Sequence, residues 1–136
     1  MKASDLSIGD FVFVKSKNKI GVVHEIDSRS AHVWCGEVYR SVYVNRYAYD
    51  DIEPVPLTPE ILEKNEFKIE VRGDLLYEYN IDGSLDICIS IWGKKDEYGH
   101  CKVRQVCLDG GVLYIHELQH ALRLCGLDEL ADNFQI

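Results

Sequence analysis

The sequence predicts an α+β fold: an N-terminal SH3-like β-barrel over residues 1–57, then a short helix and an antiparallel β-meander packed by a C-terminal helix over residues 58–136. Three observations predict it. The first 57 residues break into short β-branched and aromatic runs separated by turn signals. Thr58-Pro59 marks a helix start and a lobe boundary. Helical periodicity is sustained in one long stretch, from Tyr114 to Cys125. The two lobes are expected to pack together as one compact unit.

At 136 residues, 46% hydrophobic and 28% charged, the chain has room for one ordinary domain or two very small ones, and it is neither disordered nor membranous in composition. No apolar run approaches a membrane span, and Met1 to Leu6 lack the apolar core of a signal peptide, so the chain is read as cytoplasmic. The five cysteines, Cys35, Cys88, Cys101, Cys107 and Cys125, are odd in number, scattered and without a C-x-x-C pair. They suit a reducing compartment and are read as small buried hydrophobes rather than zinc ligands. With 15 basic against 23 acidic residues, a net charge of -8 disfavours nucleic acid as a partner. The acid is spread along the chain, where it serves solubility.

The elements follow in order. Residues 11–14 and 20–26 read as two strands joined by the polar turn at 15–19, which makes a hairpin. Strands at 31–35 and 37–44, split by Gly36, come next. An extended piece at 52–57 carries Pro54 and Pro56, which confine it to an edge. These five short strands, with an early Ile8-Gly9-Asp10-Phe11-Val12, resemble a small SH3-like barrel. Lys15, Lys17 and Lys19 in the hairpin turn are read as solvated edge protection. Trp34, Tyr39, Tyr43, Tyr47 and Tyr49 crowd together. Some of this aromatic volume is needed for a core, the favoured reading; Tyr39 and Tyr43, on one parity of a strand, are the candidates for an exposed binding groove instead.

Thr58 is an N-cap, Pro59 occupies the first helical position and Glu60 favours the positive end of the helix dipole, so a two-turn helix runs to about Asn65. Phe67 then anchors the second lobe. Strands are expected at 68–72, 75–81 and 85–91, with Asp82-Gly83 as a hairpin signal, and one further strand at 101–108. Ile87, Ile89 and Ile91 share a face with Leu85, and that face needs a cover.

The cover is the C-terminal helix. Tyr114, Ile115, Leu118, Ala121, Leu122 and Cys125 form one apolar stripe, and Gly126 stands at the C-cap position. His116-Glu117-Leu118-Gln119-His120 fits the H-E-x-x-H zinc signature, which would make His116 and His120 metal ligands and Glu117 the general base of a zinc-dependent hydrolase. The helical wheel puts both histidines opposite the stripe, hence on a solvated face. The extended metzincin pattern fails at Arg123 and Gly126, and a third ligand is missing. The favoured expectation is therefore a chain without cofactor or metal and without catalytic residues. Leu113 and Leu124, outside the stripe, are candidates for a partner-facing patch or for homo-oligomer contacts.

Residues 57–67, Leu-Thr-Pro-Glu-Ile-Leu-Glu-Lys-Asn-Glu-Phe, and residues 114–126 together resemble a group of uncharacterised proteins from Bacteroidetes genomes and their phages. The group's helix is similar to H-x-L-Q-N, so its second histidine is commonly absent. The resemblance implies a phage or mobile-element context. The expectation is a non-enzymatic binding module acting in the host cytoplasm on a host or phage protein, such as a defence component. The alternatives are the zinc hydrolase and a virion or assembly component.

Overall fold

The computed structural model describes the backbone of residues 1–36, 45–72, 76–81, 84–92, 98–103, 106–109 and 114–136, and the side chains of 1–36, 45–68 and 114–136. It is α+β and divides into two units, Met1–Val55 and Pro56–Ile136. Among the described residues, no helix is long and apolar enough to cross a membrane.

The first unit is an antiparallel sheet of β1 (Phe11–Val14), β2 (Lys19–Ile26), β3 (Ser30–Trp34), β4 (Asn45–Ala48) and β5 (Ile52–Pro54), in the order β4-β3-β2-β1-β5. Strand alternation sends Val12, Val14, Val23, Ala31, Val33, Tyr47 and Ile52 into one core with Leu6. The sheet is open: among the described residues no pairing joins β4 to β5, so the barrel closure expected from the sequence is not part of it. β4 was not anticipated, because Asn-Arg-Tyr-Ala has little strand propensity. Its strand character comes from pairing with β3, from Ser30↔Ala48 to Val33↔Asn45. The strand expected at 37–44 lies outside the described residues.

Two local devices fix this sheet. Asp10 is fully buried, and its carboxylate accepts the Ser7 N–H at 2.7 Å while its carbonyl accepts the Val23 N–H at 2.9 Å, clamping the entry loop to β2. Gly21, on β2, has no room for a side chain. A β-carbon there would stand 2.6 Å from Val33 Cγ1 and 2.7 Å from the Trp34 carbonyl oxygen.

The second unit opens with α1 (Pro59–Lys64), capped as expected: the Ile61 N–H donates to Thr58 Oγ1 at 3.4 Å. Phe67 is buried and begins β6 (Phe67–Arg72), followed by β7 (Leu76–Ile81), β8 (Ser84–Trp92), β9 (Tyr98–Val103) and β10 (Val106–Asp109). The sheet order β10-β9-β8-β7-β6 is the expected meander. The single strand expected at 101–108 is in fact two. Val103 pairs with Val106 across β9 and β10, so the chain reverses without any Gly or Pro to announce it.

The expected C-terminal helix is α2 (Ile115–Leu124), with Ile115, Leu118, Ala121 and Leu122 buried. What the stripe covers lies outside the described side chains. Gly126 (φ 72°) ends α2 in a Schellman turn, with the Leu127 N–H on the Leu122 carbonyl and the Gly126 N–H on the Arg123 carbonyl, each at 2.9 Å. The turn leads into an unanticipated helix, α3 (Asp128–Asp132).

Asn65, just past α1, closes the unit. Its amide nitrogen donates to the Ile61 and Gln135 carbonyls and its amide oxygen accepts the Gln135 N–H, each at 2.7 Å. Asn65→Ala leaves these groups short of partners in a region where Asn65 is 8% exposed, and is expected to cost about 1–3 kcal/mol. Chemical denaturation of wild type and variant, followed by a probe in the second unit, measures this; an unchanged midpoint would show that the clasp contributes nothing.

Candidate functional site

Two places carry the sequence-derived candidates or resemble a site in the structure: the histidine flank of α2 and the outer face of the first sheet.

On α2 the histidines do not lie on a solvated face, which corrects the expectation drawn from the helical wheel. His116 is only 7% exposed and His120 is half-buried. The physical reason is that α2 is covered on two flanks rather than one. Gln119, fully buried on the same flank, donates to the Ala131 carbonyl of α3 at 2.9 Å, and Arg123 pairs with Asp132 at 3.1 Å. A wheel drawn from the stripe alone omits the helix that folds back beside it. His116 stacks on Tyr114 with centroids 5.9 Å apart and meets the His120 ring edge-on at 5.7 Å.

Glu117 is engaged by its own helix terminus. Its Oε2 accepts the Tyr114 N–H at 3.1 Å, which satisfies one of the donors a helix start leaves open. This carboxylate acts as a cap. Among the described residues, no group of three His, Cys, Asp or Glu is placed to hold a metal ion. Among the described residues the flank therefore brings together two of the three protein ligands a zinc hydrolase needs, and its motif glutamate caps the helix. Glu117→Ala is expected to cost about 0.5–2 kcal/mol of second-unit stability, the range for a lost cap. His120→Ala is expected to leave the metal content of the purified protein unchanged, as read by elemental analysis.

The outer face of the first sheet is the second place. Register pairs Phe11 with Val22 and Val22 with Trp34, forming a row across β1, β2 and β3, and pairs Phe13 with Ile20 beside it. All five residues have the parity opposite to the core positions Val12, Val14, Val23 and Val33. Phe11, Phe13, Ile20 and Val22 are half-buried, and Trp34 is 47% exposed. The rim is polar. Lys15 pairs with Glu53 at 3.5 Å at one end, while Glu25, His32 and Arg46 form a ladder at the other. Lys15 and Lys17 in the turn between β1 and β2, and Lys19 at the start of β2, are exposed, as expected.

The β2–β3 turn holds the far end of this face. Asp27 accepts the backbone N–H groups of Arg29 and Ser30 at 2.7 and 2.9 Å and the Ser30 hydroxyl at 2.8 Å. The Tyr49 hydroxyl reaches the Asp27 and Ser30 carbonyls behind it. The Arg29 N–H, then the Ser30 hydroxyl and N–H and the nearby Arg46, lower the Asp27 carboxyl from 3.8 to about 2. Burial, then the Asp27 charge, raises the Tyr49 phenol.

Of the binding residues the sequence proposed, Leu124 ends α2 and is 79% exposed. Tyr39, Tyr43 and Leu113 lie outside the described residues. Tyr47 and Tyr49 serve the core, while Trp34 belongs to the outer row, which sequence reasoning missed. The signal was present in Phe11-Val12-Phe13-Val14: a strand apolar on both parities has two faces in use. No family model, curated protein or solved structure matches this chain.

The folded Asp27 carboxyl titrates below its unfolded value, so its contribution is present above about pH 4 and is lost as pH falls through about 2. Between those limits first-unit stability is expected to fall less steeply in Asp27→Asn than in wild type. Thermal melts from pH 5 to pH 2 measure it, and parallel slopes would remove the turn from the acid response.

Proposed function

We propose that the chain is a non-enzymatic binding module of SH3-like type, from a phage or mobile element, that acts by engaging a host protein. The observation that carries this reading is the apolar row Phe11–Val22–Trp34 on the side of the sheet away from its core, with Trp34 47% exposed at its end. A small sheet has few large apolar residues to spare from its interior, and tryptophan is the side chain most enriched at binding hot spots. The SH3-like reading is supported by the strand order β4-β3-β2-β1-β5, from which a small barrel closes when its first and last members meet. The position of Glu117 as a cap supports binding over hydrolysis.

On this reading Trp34 acts through its surface rather than through the core. Trp34→Ala is expected to change stability by less than about 1 kcal/mol and to weaken partner binding roughly 30-fold or more. A photo-crosslinking residue at position 34, used in the native host, should yield one dominant adduct that the same probe at exposed Ser4 does not. Leu124→Ser serves as the second arm, reporting on the α2 terminus and on self-association by light scattering. Retention of the partner by Trp34→Ala, with its loss in Leu124→Ser, would move the binding face to α2. Crosslinks only to particle proteins would instead support the virion reading.

A further inference from the structure

Register arranges three rows across the outer face of the first sheet, of which only the middle one is wholly apolar. Glu53, Phe13 and Ile20 align across β5, β1 and β2; Phe11, Val22 and Trp34 follow; Glu25, His32 and Arg46 align across β2, β3 and β4. Neighbouring rows lie about 6.5–7 Å apart, and three paired strands span about 10 Å. The apolar centre of Phe11, Phe13, Ile20, Val22 and Trp34 is therefore wide enough for two or three side chains of a partner.

The charged groups around this centre differ in how they are used. Each carboxylate already has a partner within the fold. Glu53 pairs with Lys15 at 3.5 Å, and Glu25 lies 3.3 Å from His32. Asp51 accepts the Ser16 N–H at 2.9 Å and the Ser16 hydroxyl as well, and Asp27 is taken up by the N–H groups of Arg29 and Ser30. Two cations are different. Lys17, exposed in the turn just beyond the Phe13–Ile20 pair, makes no ion pair among the described residues. Arg46, 65% exposed at the opposite end, gives its Nε–H to His32 at 3.0 Å, which holds the guanidinium beside the Trp34 row. Its Nη2 stands 3.8 Å from Asp27, too far for a hydrogen bond, so the end of the fork is open to a partner. An incoming carboxylate meets unused donors at both ends of the face, whereas an incoming cation meets carboxylates that must first give up a partner. Charges at such a rim decide which partner is accepted, and the apolar rows decide how tightly it is held.

We propose, on the strength of this face being the binding surface, that its occupant is an acidic peptide segment of a partner protein. Its apolar side chains cover the two apolar rows, and its carboxylates reach Lys17 at one end and Arg46 at the other. The outer rows are about 13–14 Å apart, the reach of about four residues of extended chain, so those carboxylates stand four or five residues from each other. Ile20 and Val22 interrupt the aromatic residues, which suits aliphatic and aromatic side chains better than a run of stacked bases.

Selection of a random-peptide display library on the full chain tests the proposal. Enriched peptides are expected to combine at least two apolar residues with flanking Asp or Glu. Made again with Lys in place of those acids, they should bind wild type roughly tenfold or more weaker. Lys17→Glu and Arg46→Gln, both at exposed positions, should each weaken the acidic peptide roughly threefold or more. Lys17→Glu should also strengthen binding of the lysine version, a gain that loss of folding does not produce. Enrichment of basic or uncharged peptides, or equal affinity for the acidic and lysine versions, would overturn the acidic partner; if Trp34→Ala still abolished that binding, the face itself would stand. Acidic peptides that bind Trp34→Ala as well as wild type would remove the face and this proposal with it. A selection that enriches nothing, or displacement of the peptide by a short oligothymidylate, would likewise overturn it.

Discussion

At the centre of the first sheet, β2 and β3 run so close together that Gly21 has no space for a side chain. A β-carbon would fall within 3 Å of the Val33 side chain, the Trp34 carbonyl and the Cys35 sulfur. Beside it Val22 pairs directly with Trp34, and Val33 lies opposite Val23 in the core. A slip of one residue would exchange the two faces of β3, sending Val33 outward and the Trp34 indole into an interior already filled by Leu6, Tyr47, Ile52 and the valines. Both the core and the outer row therefore depend on one missing methyl group. Asp10, clamped to Val23 two residues further along β2, fixes the same strand from its other neighbour.

The second unit relies on a different device. Two side-chain amides, Asn65 and Gln119, take the places that further backbone pairing would occupy elsewhere. Asn65 offers Gln135 both a donor and an acceptor, much as a neighbouring strand would, and Gln119 reaches the last turn of α3. Buried amides of this kind stabilise only when their partners are met, so they specify one arrangement of the terminal segment rather than a general attraction. The Schellman turn at Gly126 supplies the geometry they need, because it reverses the chain early enough for α3 to lie beside α2.

Local chemistry was legible in the sequence, and long-range pairing was not. Thr58 and Pro59 carry the whole signal for α1, and the stripe from Ile115 to Leu122 carries that for α2, since capping and periodicity are written within a few residues. β4 is strand only because β3 lies beside it. The reversal after Val103 has none of the usual turn residues. The histidine flank was misjudged for the same reason: a helical wheel records one helix, and the five residues of α3 decide what Gln119 touches. The outer row was half legible, since Phe11 and Phe13 announce a second apolar parity, but only register shows that Trp34 completes it.

The Asn65 clasp also orders events during synthesis. Its two partners are 70 residues apart in the chain, whereas every pairing of the first sheet falls within the first 55 residues. On a translating ribosome the first unit has all its contacts available while the second is still being made. The second must wait until Gln135 has cleared the exit tunnel before its last hydrogen bonds can form. For that interval α1 and the meander are without their closing segment, and the buried flank of α2 has no α3 beside it. A chaperone that recognises exposed apolar helix would find its opening there, and not in the sheet that precedes it.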